Sequence, residues 1–159
     1  MRIELQNQLA QKFPEIFRDF HGDPSQTCMA FGVQCGDGWF SLIDRLCTDI
    51  QSEVDLGRKN HDLEFVCSAE QIKEKYGTLR FYLNFSYAFD LPDDKMKALN
   101  EIADRIYLHV NKAEKESAKT CSECGDPCTL SNDIFPIAIC DACDTLMRDA
   151  ISNRITIDI

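Results

Sequence analysis

Positive charge is scarce in this chain. Its 159 residues hold 17 basic and 27 acidic side chains, for a net of −10. Nucleic-acid readers set Lys and Arg against phosphate, so this balance speaks against that class. It favours a basic protein partner, or simply solubility. No apolar run approaches the length of a membrane helix. The start, Met1-Arg-Ile-Glu-Leu-Gln-Asn-Gln8, has no apolar stretch like that of an export signal, and the expected location is the cytoplasm. There is no Walker loop, dinucleotide-binding glycine pattern, nucleophile elbow or H-E-x-x-H pair. Histidine is rare. His21 and His61 sit in polar stretches, and His109 borders the apolar stripe of a predicted helix.

Cysteine is abundant by contrast, with nine residues. An odd count without an export signal argues against a disulfide framework. Four of the nine have metal spacing. Cys121-Ser-Glu-Cys124 and Cys140-Asp-Ala-Cys143 are separated by fifteen residues, within the range of a four-thiolate zinc site. Zn²⁺ takes four soft ligands in a tetrahedron, and each C-x-x-C bend offers two. Four thiolates close the coordination shell, whereas a catalytic zinc keeps one position open. The expected cofactor is therefore a structural Zn²⁺ on Cys121, Cys124, Cys140 and Cys143. Cys28, Cys35, Cys47, Cys67 and Cys128 are left as free thiols. Cys128 could replace a ligand but breaks the paired spacing.

The charge is uneven. Residues 1–60 sum to −3, 61–90 to −2, 91–120 to zero and 121–159 to −5. A zinc–tetrathiolate centre would add a further −2 to the last segment.

Apolar spacing outlines an α+β fold: a small antiparallel hairpin packed with three helices, followed by a zinc module. Leu5, Leu9, Phe13, Ile16 and Phe20 predict a helix over 2–20 that Pro14 kinks or divides. Cys35-Gly-Asp-Gly-Trp39 reads as a tight polar turn in which Asp37 caps the next helix. That helix carries Trp39, Ile43, Leu46, Ile50 and Val54 on one face and is expected to end at Gly57. Phe65, Cys67 and Ala69 begin a hairpin. Leu79, Phe81, Leu83 and Phe85 form its clearer strand beyond Gly77, while Ile72 to Lys75 could pass for helix. Pro92, Asp93 and Asp94 open a long helix striped by Met96, Leu99, Ile102, Ala103, Ile106, Val110 and Ala113. Its stripe fades after Ala113, which suggests an exposed helix end or a linker and a division into an α+β domain, 1–118, and a zinc-binding module, 119–159.

Within the module, Gly125 follows the first pair. Thr129-Leu130 and Ile137-Ala-Ile139 suggest a short hairpin around Ser131-Asn-Asp133, and helical spacing resumes after Cys140. A knuckle, a hairpin and a helix at the second pair make a treble-clef or zinc-ribbon-like layout. Such a metal staples a module too small for its own core.

Candidate partner-binding residues are Asp37 and Trp39 in the turn, and Asp141, Asp144 and Asp149 in the acidic module. Trp39 is either an exposed anchor or a core plug. Arg58, Lys59, Lys73 and Lys75 read as a solvated basic face. An enzyme would use the Cys35–Trp39 loop, and His21 or His61 could pair with a free cysteine as base and nucleophile.

Phe31-Gly-Val-Gln-Cys-Gly-Asp-Gly-Trp-Phe-Ser-Leu-Ile-Asp-Arg-Leu-Cys47, Ile72-Lys-Glu-Lys-Tyr-Gly-Thr-Leu-Arg-Phe-Tyr82 and the paired C-x-x-C tail together resemble a set of small uncharacterised proteins of bacteria and their phages. The likeness runs from about Phe31 to Cys143, and it carries over only the paired cysteines, as metal ligands. Ile134-Phe-Pro-Ile-Ala-Ile139 departs from the Gly-Trp pair of that set. The resemblance implies a phage or prophage setting and a bacterial host cytoplasm. By analogy, the expected role is an inhibitor or adaptor acting on a host or defence protein, such as an anti-CRISPR, another anti-defence factor or an immunity protein. The alternatives are a nucleic-acid-binding zinc protein and an enzyme.

Overall fold

Pro14 divides the first apolar stretch. In the computed structural model, which describes residues 1–131 and 134–155 (the last three as backbone only), helix α1 spans Ile3–Lys12. The chain then continues in turns that still bury Phe13, Ile16 and Phe17. A two-residue strand, β1 (Val33–Gln34), follows. It is too short to show a period in the sequence.

Helix α2 (Phe40–His61) buries Leu42, Ile43, Leu46, Cys47, Ile50 and Val54. It does not end at Gly57, as its sequence suggests. It closes at Asp62, in the left-handed region at φ 49°, whose amide donates to Arg58 O. Gly57 instead lets the next long helix come close, because a Cβ there would lie 2.4 Å from Ile102 Cδ1.

Strands β2 (Phe65–Lys75) and β3 (Thr78–Tyr87) form the expected hairpin, joined by Tyr76 and Gly77 at φ 54° and 74°. Two positive φ values in a two-residue loop match the twist of the strands they join. Ile72 to Lys75 are strand, not helix. A bulge between Ala69 and Gln71 shifts the register by one residue. Burial therefore moves from Phe65, Cys67 and Ala69 to Ile72, which breaks the period that marks a strand. β1 adds to β2 in parallel, Val33 opposite Ile72, giving the sheet order β1-β2-β3.

Helix α3 (Asp93–Ser117) follows Pro92 and buries Ala98, Leu99, Ile102, Ile106, Val110 and Ala113. The stripe does not fade into a linker. Ser117 is fully buried, accepting from Leu79 N at 2.8 Å and donating to Glu114 O at 2.6 Å. The chain then enters the cysteine-rich segment directly. This contains β4 (Thr129–Leu130), β5 (Ala138–Ile139) and α4 (Asp141–Ile155). β4 and β5 pair antiparallel. The expected turn at Ser131-Asn-Asp133 falls on 132–133, outside the described residues. Among the described residues no helix is long and apolar enough to cross a membrane.

Candidate metal centre

The first cysteine pair is shaped by backbone bonds. Cys121 N donates to Asp126 O at 2.7 Å, and Gly125 N donates to Cys121 O at 2.9 Å. Gly125 closes the bend at φ 85°, a conformation open to glycine at little cost. The second pair is set by β5 and α4. Cys140 follows β5 directly, Cys143 lies in the first turn of α4, and Asp144 N donates to Cys140 O at 2.9 Å. This is the treble-clef layout of knuckle, ribbon and helix.

These elements bring the Sγ atoms of Cys121, Cys124, Cys140 and Cys143 within 4.8 Å of one another. Cys124 and Cys140 Sγ are 3.7 Å apart. That is far longer than a disulfide, and all nine cysteines are free. It matches the edge of a four-thiolate tetrahedron that could hold a metal, since four Zn–S bonds of about 2.3 Å set sulfurs about 3.8 Å apart. Cys128 is not in the cluster.

The electrostatics also fit a divalent cation. Burial raises the Cys121 thiol, but the amides of Cys124, Cys140 and Glu123 donate to it and bring it down to about 7. The Cys124 and Cys143 thiols do not ionise so easily beside it. The Asp126 amide favours a Cys124 thiolate, yet sharing a proton with Cys121, Cys143 and Cys140 leaves its thiol raised. Cys143 is helped by Cys124 but opposed by Cys140, burial and Cys121, and rises to about 11. Four thiolates crowd one small volume, and a bound metal dication would relieve that repulsion.

The knuckle does not hang from the end of α3. The turn before α2 receives it. Gly38 N donates to Ser122 O at 2.8 Å, and Trp39 Nε1 donates to Thr120 O at 2.8 Å. A Cβ on Gly38 would stand 2.2 Å from Cys121 O, 2.4 Å from Gly125 N and 2.8 Å from Cys124 N. A Cβ on Gly36 would stand 2.0 Å from Ser122 O. All these neighbours are backbone atoms, which cannot swing aside. The two glycines are therefore the space in which the knuckle sits. The sequence marks them only as a turn, and the one hint is that two glycines around a single Asp exceed what a turn needs. Behind the knuckle, Ser122 N donates to Ala138 O at 2.8 Å, and Cys121 and Ala138 are buried.

Two turn residues differ from expectation. Trp39 is 0% exposed, so it is a core plug and no surface anchor. Asp37 does not cap the helix. Neither the short 3₁₀ turn over Asp37–Trp39 nor α2 receives a side-chain cap. Asp37 Oδ1 accepts from Arg2 N at 2.7 Å, and its other oxygen pairs with Arg2 Nε. The Arg2 amide, ahead of the opposing effect of burial, holds the Asp37 carboxyl below its usual range. This contact is largely at the surface, and surface pairs contribute about 1 kcal/mol or less. Asp37→Ala should therefore lower the urea midpoint only slightly and leave metal content unchanged. A loss above about 2 kcal/mol would restore a capping role.

Asp141 and Asp149 are exposed, and half-buried Asp144 accepts from Arg148 Nε at 2.7 Å. The Arg154 side chain lies outside the described residues. The remaining thiols do not assemble a nucleophile. Burial pushes Cys35 and Cys67 up to about 12 and Cys47 well above its ordinary value. Among the described residues no histidine pairs with Cys35, Cys47 or Cys67. His109 faces Asp49 and Glu53 at 3.3 and 3.7 Å, and His21 stacks on Phe20. The Cys35–Trp39 loop serves as the knuckle's seat, and its cysteine is buried beneath it.

Comparison with family models, with curated proteins and with solved structures finds no match for this chain.

Proposed function

We propose that this chain is a zinc-stapled protein-binding factor whose Zn²⁺, held by Cys121, Cys124, Cys140 and Cys143, is structural. The observation that carries this reading is the closed set of four converging sulfurs, with a Cys124–Cys140 separation of 3.7 Å. Such a shell leaves the metal no open position for water or substrate. The metal would fix the knuckle against the Gly36–Gly38 seat and start α4 at its second ligand pair. Residues 121–159 carry a net of −5 before the centre is counted. That charge repels phosphate and suits a basic protein surface, including one that normally holds nucleic acid. The resemblance of residues 31–143 to small bacterial and phage proteins supplies the setting, and by analogy the role is an inhibitor or adaptor that occupies a host or defence protein.

Protein purified without chelator should carry one zinc per chain by elemental analysis. It should ignore random-sequence DNA in about 0.15 M salt, where charge is screened over about 8 Å. Absence of zinc would overturn the metal assignment. Tight DNA binding at that salt would put a nucleic-acid role in place of the protein partner.

A further inference from the structure

Helix α4 carries an apolar stripe that lies open. Leu146, Met147 and Ile151 share helical spacing with Cys143 and Ala150, the pattern of a face made for burial. Yet Leu146 is 69% and Ile151 60% exposed. The ribbon loop adds Ile134 at 90% and Phe135 at 73%, with Ile137 also exposed. Met147 and Ile137 line one hollow beside Gly36, so helix and ribbon meet in a single surface. Of the fifteen exposed large apolar side chains among the described residues, six lie between Ile134 and Ile151. The rest are spread over the other elements. Exposed apolar side chains concentrated in one segment point to an interaction site, whereas single scattered ones do not.

The rim of this surface is acidic. Glu74 and Glu123 line the same hollow, and residues 121–159, which supply the rest of the face, carry a net of −5. A second copy of the chain would set one −5 segment against another, and like charges brought together at an interface oppose association. We infer that the face formed by α4 and residues 134–137 is the docking surface, and that its occupant is an amphipathic helix of another protein with Lys or Arg flanking its apolar stripe. This deepens the protein-binding reading above and rests on it. Burial of the apolar stripe would supply affinity, and the carboxylate rim would select the partner's charge and speed encounter.

The test uses the zinc-loaded full chain and two synthetic helices of about 16 residues, long enough to be helical. Both carry the same Leu stripe, one with Lys and one with Glu on its polar face. Amide signals are followed by NMR during titration. The Lys helix should move the signals of residues 134–137 and α4, and the Glu helix should bind at least about tenfold more weakly. Leu146→Asp and Ile151→Asp replace exposed side chains, so they should keep zinc and fold while weakening the Lys helix about tenfold or more. Shifts confined to another face, such as the α2–α3 groove, would overturn this surface and leave the basic-partner reading standing. Equal binding of both helices on α4 would overturn the basic partner. No binding of either helix, or self-association of the chain through the same residues, would overturn the inference itself.

Discussion

Gly38→Ala is expected to lower zinc affinity by about 10- to 100-fold, the usual effect of disturbing the groups that support metal ligands. The added methyl would fall 2.2 Å from Cys121 O and 2.4 Å from Gly125 N. The knuckle must then retreat from its seat. Retreat would lengthen the Gly38 N–Ser122 O bond and pull Thr120 O away from the indole of Trp39. Overpacking of this kind costs about 1–3 kcal/mol. Here two partly buried hydrogen bonds are also at risk, each about 1 kcal/mol. Competition with a chromophoric chelator gives the affinity, and urea unfolding gives the stability. Wild-type values for both would mean that the turn before α2 does not hold the knuckle.

Loss of the metal should have the larger effect. Structural zinc contributes about 10–16 kcal/mol of apparent binding free energy in small zinc modules. A cluster in which the Cys124 and Cys143 thiols are raised by their neighbours has little to hold it together without the cation. Cys121→Ser or chelation should therefore unfold the knuckle, the ribbon and α4. The loss should not stop there. Cys121 is buried against the seat, and Ser117, one turn earlier, accepts the amide of Leu79 in the sheet. The α+β part should survive, with a thermal midpoint several degrees lower, since about 1 kcal/mol shifts a domain of this size by about 2–4 °C. An unchanged midpoint after complete zinc removal would mean that the two parts are energetically independent.

Most of the architecture was legible because it depends on period. The stripes of α2 and α3, the alternation from Leu79 to Phe85 and the two C-x-x-C pairs each repeat a spacing set by one element. What was hidden breaks a period or spans the chain. The bulge at Glu70 reverses the inward phase of β2, so Ile72 to Lys75 lose their strand signature. β1 has two residues and no period to show. Gly57 looks like a helix stop because glycine is a poor helix former, but its helix is held by packing on Ile102. Asp37 stands where a cap belongs and is claimed by Arg2, 35 residues away in sequence. The metal ligands could be read from their spacing. The seat could not, because its reason lies in backbone atoms more than eighty residues downstream.

Trp39 offers the most direct test of the central claim, that the four cysteines hold a metal that locks the knuckle onto the turn before α2. It is the only tryptophan in the chain, and its indole donates to Thr120 O, next to the first ligand. Zinc release by a chelator, counted by a metal-sensitive dye, should proceed with a parallel red shift of Trp39 emission. Both signals should return together when one equivalent of Zn²⁺ is added back. Zinc-free protein with native Trp39 emission, or release of the metal with no change in that emission, would contradict the account.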